Sequence, residues 1–590
     1  DGMLIKAKNS ENLLEFTRDR KTGLITEEKQ GEHTVNRTYD SEGNCTRITS
    51  SLGADIRHTY DREGNLQTMQ AGESWQASWV RDNTGLEVQR SFSGGVTVKT
   101  ERDCFGREIR KSVRSGGIEK GAYRYQWGIA NRLLSKENEL TGTVTRYDYD
   151  RFDFLIRQET MQGSETDVIY RVPDFVGNLF ETLDKKDRKY GAGGKLLEDP
   201  DCFYHYDDEG NLIFREFKQL QETGVRYDRK RMEKERGIRC LATGTGWLYE
   251  WASNGMLKKV IRPDGRPVEF RYDALGRRTA KQYFGKVTRW VWDGNVPIHE
   301  WNYKTTDMQS GEKESIPSKE PTEDITTWVF EAGTFVPTAK IQDGKQYSIV
   351  SDYLGTPIQM YDEQGNKTWD CTLNVYGKVT TFTGKALNAC PFRFQGQYED
   401  EETDLYYNRF RYYSSKNGVY ISQDPIRLNG RNTIFYSYVK DGNKGIDLFG
   451  LMPLSNPVNQ GHHIVPHQAA TDLGIQPFNS QVGVPALYFS DTQFTGIEHS
   501  AMHGYNNIGK NTKPLVKASQ IRANGMSADE WLQSLEAHYK NPAIQTVRGD
   551  LHLINANGTK GVLIKANVTP SEAWDLTKEW ANKQGANSFH

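Results

Sequence analysis

Long apolar runs are missing from this 590-residue sequence. No stretch approaches the about 20 consecutive apolar residues that span a bilayer, so no membrane-spanning helix is expected. No signal-peptide pattern opens the chain either. Its first residues, DGMLIKAKNSENLLEF, read as the middle of something larger, and an upstream region is expected. A charge excess is also absent. Seventy-six Lys and Arg face 78 Asp and Glu, a net charge of −2. No global basic field advertises nucleic acid, although a local basic groove stays open. Cysteine is scarce and scattered: Cys45, Cys104, Cys202, Cys240, Cys371 and Cys390, with no CxxC spacing. Free thiols in a reducing compartment are the better reading than a disulfide framework.

What is present is tyrosine (30) and glycine (55) in a polar chain of mean hydropathy −0.75, which suits extended β structure with many turns. By length alone the chain would hold about three or four domains, but repetition defeats that rule. TYDSEGNCTRI begins at Thr38 and TYDREGNLQTM at Thr59, a period of 21 residues. The phrase returns at His205 (HYDDEGNLIF), Arg271 (RYDALGRRTA) and Met360 (MYDEQGNKTW), with degenerate copies RYDYDRFDFLIRQ and RYDRKRMEKE. Each copy reads as strand, turn, strand: tyrosine closes one strand and Asp-x-x-Gly-Asn supplies turn residues that tolerate left-handed backbone. Stacked hairpins of this kind predict one long winding antiparallel sheet. Propeller blades need about 40 residues each, so the period argues against them. Tyr303 to Thr327 is polar, charged and nearly free of large apolar residues, and is expected to be a loop inserted between strands.

The Tyr-Asp phrases resemble the YD repeats of Rhs proteins over about residues 30–451. PFRFQGQYEDEETDLYYNRFRYYSSKNGVYISQDPIRL, residues 391–428, is similar to the end of the Rhs core. The resemblance implies a mainly β chain: a YD-repeat β cocoon at 1–390, a core-end region at 391–451, and a separate domain at 452–590. Rhs cores commonly finish in Asp-Pro-x-Gly-Leu and cut themselves after that leucine. Here the ending reads DLFGL, Asp447 to Leu451, with Leu448 in place of the proline, and SQDPI supplies Asp424. Two carboxylates in a semi-enclosed space do not both ionise easily, so one can hold a proton while the other activates water. The resemblance therefore implies autoproteolysis at Leu451–Met452 by Asp424 and Asp447. Taken without it, both read as turn aspartates.

After Leu451 the repeats stop, cysteine disappears, and eight of the twelve histidines occur. GHHIVPH holds His462, His463 and His467, and HHIVP reads as a short strand ended by proline. In FTGIEHSAMHG, Thr495 and Glu498 form a capping box, and His499 and His503 follow at i, i+4 on one helical face. A strand histidine and two helical ones can enclose one metal ion. A zinc peptidase is disfavoured: H-E-x-x-H needs glutamate after the first histidine, and Ser500 stands there. The pattern resembles the HH…HxxxH signature of HNH and endonuclease VII nucleases over about residues 459–510, which implies a small α+β domain of the ββα-metal type. Carried over, His462, His499 and His503 would hold a divalent ion (Zn, Ni, Mn or Mg), His463 would be the general base, and Asn479 would orient it. Val482 stands where many relatives have a second asparagine. SADEWLQSLEAHYK and TPSEAWDLTKEWANK read as capped amphipathic helices, DLHLINANGTKGVLIK as a hairpin around Asn557-Gly558, and His538 and His552 as packing or surface residues.

Together these resemblances imply a type VI secretion-type Rhs effector that is secreted and delivered into the target-cell cytoplasm. Its partners would be DNA as substrate, a cognate immunity protein, and a secretion apparatus reached through the upstream region. A DNase is the first expectation. An RNase of the same fold, or a YD-repeat adhesion or signalling shell with an inactive nuclease-like tail, are the rivals. The oligomeric state is open, a dimer included.

Overall fold

The computed structural model describes residues 3–305, 320–426 and 434–451, and within the remainder 454–455, 462–463, 485–489, 527–540, 549–554 and 560–583. The chain divides into two compact units: one runs from Asp1 to Pro453 apart from Cys104–Gly106, the other holds Leu454–His590.

The repeat phrase builds hairpins. In the copy at Thr59, the Asp61 carboxylate accepts the amides of Glu63 at 3.0 Å and Asn65 at 2.8 Å. Gly64 follows at φ +80°, a left-handed position that disfavours side chains. The strand register shifts at Tyr60, a bulge that lets two residues oppose one. That tyrosine is not only a strand end. Its hydroxyl donates to the carbonyl of Cys45 at 2.8 Å, which tethers this hairpin to the one before it. Tyr39 reaches Ile25 at 2.9 Å, Tyr149 reaches Leu133 at 3.0 Å, and Tyr272 reaches Leu257 at 2.7 Å in the same way.

Repetition of this unit makes two mainly antiparallel sheets of 16 strands, each in strict chain order. The first runs from Lys6–Lys8 to Glu165–Tyr170, the second from Lys189–Tyr190 to Val379–Gly384. The architecture is therefore mainly β, as the sequence predicts, with two sheets in place of one. Alternating apolar residues of both sheets meet in one core that includes Val35, Trp75, Trp79, Val291, Trp301 and Tyr361. Polar ties cross it: Trp75 donates its indole N–H to Ser348 Oγ at 3.1 Å.

Of the two degenerate copies, one departs from the expected hairpin and the other keeps it with a changed turn. RYDRKRMEKE forms a helix, Arg229–Arg236. Its run of Arg, Lys, Met and Glu favours helix, the Asp228 side chain caps it by accepting the Arg231 amide, and Gly237 ends it in left-handed backbone. In RYDYDRFDF the working pair is Tyr149-Asp150, with Asp153 taking the position of the glycine at φ +68°. The polar segment after Tyr303 does lie between neighbouring strands, since Val296–Lys304 pairs with Thr326–Phe330. Its residues 306–319 lie outside the described residues.

A four-stranded sheet follows, Tyr398–Asp400, Leu405–Asn408, Arg411–Ser414 and Val419–Tyr420. Both faces of its central strands are buried, around Phe394, Tyr406, Tyr413, Tyr420 and Tyr438. In the second unit the described strands order as His462–His463, Pro485–Phe489, Gly549–Ile554 and Lys560–Val568. The helices Ala528–Tyr539 and Pro570–Lys583 form as predicted, capped by Ser527 with Glu530 and by Thr569 with Glu572. The Asn557-Gly558 turn lies outside the described residues, between two strands that do pair. Among the described residues no helix is long and apolar enough to cross a membrane, and all six cysteines are free thiols.

Candidate functional site

Asp424 and Asp447 meet. The strand Arg411–Ser414 carries Arg411 into the buried centre of the last shell sheet, where one guanidinium nitrogen, Nη2, lies 3.3 Å from Asp424 Oδ2 and 3.3 Å from Asp447 Oδ2. The rest of the guanidinium is spent on backbone. Nη1 donates to the Phe435 carbonyl at 3.0 Å and Nε donates to the carbonyl of Gly450. Its plane stacks on the Tyr420 ring, 3.7 Å from the centroid. One side chain thus ties together both aspartates and the DLFGL segment.

Asp447 is fully buried. Its Oδ2 accepts the Tyr420 hydroxyl at 2.9 Å, and its Oδ1 accepts the amide of Leu451 at 3.0 Å. Asn408 donates to both the Tyr420 hydroxyl, at 2.7 Å, and the Asp447 carbonyl, at 2.8 Å. Gly450 is required where it stands. At φ +66°, a Cβ would come within 2.6 Å of the Asn408 carbonyl oxygen. Asp424 is 5 % exposed and accepts the Ile426 amide at 2.9 Å. Burial pushes its carboxyl up to about 6, against the pull of Arg411 and the Ile426 amide, with Asp447 adding to the rise. The arrangement can hold a proton on one carboxyl next to a second carboxylate that grips the residue before the expected cut. Met452 lies outside the described residues.

Arg411, Tyr420 and Asn408 carry no signal in the sequence that marks them. A charged residue at the first position of a fully buried strand, NRFRYYSS, is the only hint, and it points to no partner.

In the second unit, the strand His462–His463 pairs with Pro485–Phe489, His462 opposite Leu487 and His463 opposite Ala486. His467, Asn479, Val482, the Thr495–Glu498 box, His499 and His503 lie outside the described residues. Among the described residues no group of three His, Cys, Asp or Glu could hold a metal. His538 and His552 are buried, the first edge-on to Tyr539 and the second opposite Ala486 in the same sheet, as packing residues would be.

With that geometry in place, the kinship of the chain is clear. The profile described as Teneurin YD-shell matches residues 93–433, more than half of the sequence. The chain belongs to the YD-shell family. A second profile, described as Toxin protein PT1, matches residues 458–585, within the second unit. The double-stranded DNA deaminase toxin A of Burkholderia cenocepacia is 27% identical over 467 residues, covering 74% of this chain and 30% of that protein. A protein of Dickeya dadantii named "Probable deoxyribonuclease RhsB" is 26% identical over 457 residues, covering 73% and 28%. The YD-shell chain thus spans less than a third of either relative. Among solved structures, the Tc holotoxin pore of Photorhabdus luminescens superposes at a TM-score of 0.53 with 16% identity, over 77% of this chain and 24% of that one, a likeness of fold.

Proposed function

We propose that this YD-shell chain belongs to a secreted antibacterial Rhs effector that cuts its own backbone between Leu451 and Met452 and so frees a C-terminal nuclease. The observation that carries the reading is the Leu451 amide on Asp447 within a buried Asp424–Arg411–Asp447 cluster. In the cut, Asp447 takes a proton from a water that adds to the Leu451 carbonyl carbon. Asp424, protonated up to about pH 6, supplies the proton that the departing Met452 nitrogen needs. The bond from that carbon to nitrogen breaks, which leaves a carboxylate on Leu451 and an amine on Met452. Arg411 fixes the two carboxyls and balances negative charge as it grows on the carbonyl oxygen. Purified protein is expected to run as pieces of about 450 and 140 residues on a denaturing gel while co-eluting when native. Asp424→Asn and Asp447→Asn should each give one band. Two bands in both variants would assign the cut to an outside protease.

The tail is the effector's working part. His462, His499 and His503 would hold a divalent ion, and three imidazoles are a donor set that suits Zn, Ni or Mn, with Mg as the oxygen-seeking alternative. Bound there, the ion would stabilise charge on a phosphate and on its leaving oxygen. His463 would take the proton from the attacking water, with Asn479 orienting its ring. A toxin profile over residues 458–585 and a relative named as a deoxyribonuclease support this assignment. Plasmid nicking by residues 452–590, with and without chelator and beside an RNA substrate, is the test. Retained nicking in His463→Ala would sink the base assignment, and cleavage of RNA alone would make the enzyme an RNase. A producer needs protection from such an enzyme, so a cognate immunity protein is part of the proposal. Normal growth of a bacterium that makes soluble 452–590 without its neighbouring gene product would remove both toxin and immunity partner.

A further inference from the structure

The turns of the first 16-stranded sheet stand in one row. Its strands are antiparallel and in chain order, so every second connection falls on the same rim. The turns that begin at Asp19, Asp40, Asp61, Asp82, Ile129 and Asp150 share that rim. The turn at 174–177 joins them, because Val172–Pro173 prolongs the last strand and the Arg171 amide stays on the Ile156 carbonyl at 2.8 Å. The tip residues change character along the row. Lys21, Glu42, Glu63 and Thr84 are polar and exposed. Ile129, Phe152, Phe175 and Val176 are apolar and as open, at 91 %, 65 %, 104 % and 53 % exposure.

Ties between turns hold these tips in register. Arg107 Nη1 donates to the Gly128 carbonyl at 3.0 Å, and Arg132 Nε to Asp153 Oδ1 at 2.5 Å. The second sheet shows how this fold treats an apolar tip. Its exposed tips are polar: Asp208, Glu209, Ser253 and Asn254. Leu275, Tyr353, Val375 and Tyr376 stand at equivalent turns and are half-buried or buried against the rest of the shell. Arg409 donates to the Leu275 carbonyl, the Tyr353 hydroxyl to the Asn443 carbonyl, and the Val375 amide to Gln158 Oε1. Polar tips there face water and apolar tips face protein, so the stretch from Ile129 to Val176 has the chemistry of a protein contact. It lacks the free cations of a rim that binds acidic lipid, because Arg107 and Arg132 beside it are engaged by Asp103 and Asp153.

We propose that this rim is a contact between two copies of the chain. Two strand spacings separate successive tips, so the knobs stand about 10 Å apart and leave gaps about one aromatic ring wide. A row of that period is complementary to itself, and a two-fold axis lets the tips of each copy enter the gaps of the other. Arg151 brings charge to the row, but its guanidinium lies over the Phe152 ring, 4.6 Å from the centroid, where its stem extends the apolar surface. Four side chains that each bury about 100–150 Å² would remove roughly 1,000 Å² from water over both copies. That is the low end for a specific contact, so a reversible dimer with a Kd of about 1–100 μM is expected.

Sedimentation velocity of the full chain over about 1–200 μM tests this. The mass should rise from 67.4 kDa towards twice that value as concentration increases. Asp447→Asn is run beside the wild type, so that self-cleavage does not enter the mass. Phe152→Asp combined with Phe175→Asp should weaken association at least tenfold, with an unchanged melting temperature at low concentration because both rings stand in solvent in the single chain. Phe284→Asp, at an exposed ring in the second sheet, should leave association as it is. A chain that stays monomeric throughout would overturn the proposal, and its flotation with phosphatidylcholine vesicles would then give the rim to a lipid surface. Association unchanged in the Phe152→Asp, Phe175→Asp chain, or weakened equally by Phe284→Asp, would overturn it as well.

Discussion

The aspartates of the shell's turns and Asp424 at its end begin from the same local motif. Asp19 accepts the amides of Lys21 and Thr22, and Asp424 likewise accepts the amide two residues ahead of it, at Ile426. What separates them is what surrounds the turn. Asp19 stands in solvent, and the hydrogen bonds from Thr22 hold its carboxyl below the usual range. Asp424 is buried, and burial pushes it up to about 6 although a guanidinium lies 3.3 Å away. A turn aspartate becomes chemically poised through burial beside a second carboxylate, and the motif by itself does not supply that.

The strongest way to break this contrast is to take away a poised carboxyl. Asp447→Asn keeps the shape but loses the group that would accept water's proton, and self-cleavage should fall by about 10² to 10⁴, the usual worth of an acid or base. Band intensities followed over days would measure it. Arg411→Met attacks the same site through charge. It strands two buried carboxylates and leaves the Phe435 and Gly450 carbonyls without their donor, so a loss of about 3–5 kcal/mol is expected in denaturant unfolding of the shell. Arg411→Lys should rescue little, because an ammonium cannot reach both carboxylates and two carbonyls in one plane.

The pH dependence sharpens the contrast. If Asp424 acts as the acid, cleavage should be fastest below about pH 6 and fall about tenfold per unit above it. The stability effect has a definite sign. The folded-state pKa is raised above the ordinary 3.8, so between about 4 and 6 the folded chain holds a proton that the unfolded chain has released. The contribution is complete below pH 4 and is lost as pH rises through 6. Asp424→Asn should remove that slope, and a variant whose melting temperature keeps the wild-type slope over pH 4–6 would deny Asp424 its raised pKa.

Much of the shell was legible because its information is local. The 21-residue spacing, the Asp-x-x-Gly-Asn turns and the alternation between them each act within one hairpin. Three things were not. The helix at Arg229–Arg236 sits in a copy whose strand residues have been replaced by helix formers, so propensity overrode the repeat. Arg411 is 13 residues from Asp424 and 36 from Asp447, and no periodicity links those positions. The tyrosine tether is equally silent: Tyr60 binds a carbonyl 15 residues back, in the preceding hairpin, and only the assembled sheet brings them together. Tyr60→Phe should therefore cost about 1 kcal/mol, the worth of one hydrogen bond whose carbonyl stays in place, and hydrogen exchange should show it at the Cys45 turn first.

The smallest effect is expected at the turn itself. Asp61→Asn retains an oxygen that can accept the Glu63 and Asn65 amides, so the turn keeps both of its backbone bonds. What changes is the second carboxylate oxygen, which now accepts from the Asn65 amide at 3.1 Å; an NH₂ placed there would face another NH₂ until one side chain rotates into solvent. The side chains are exposed enough for that rotation, so the cost should stay within about 0.5 kcal/mol in denaturant unfolding. The same substitution at Asp424 should stop a reaction. A loss of 2 kcal/mol or more at Asp61 would mean that the repeat turns are as finely set as the shell's end, and the distinction between the two sets of aspartates would fail.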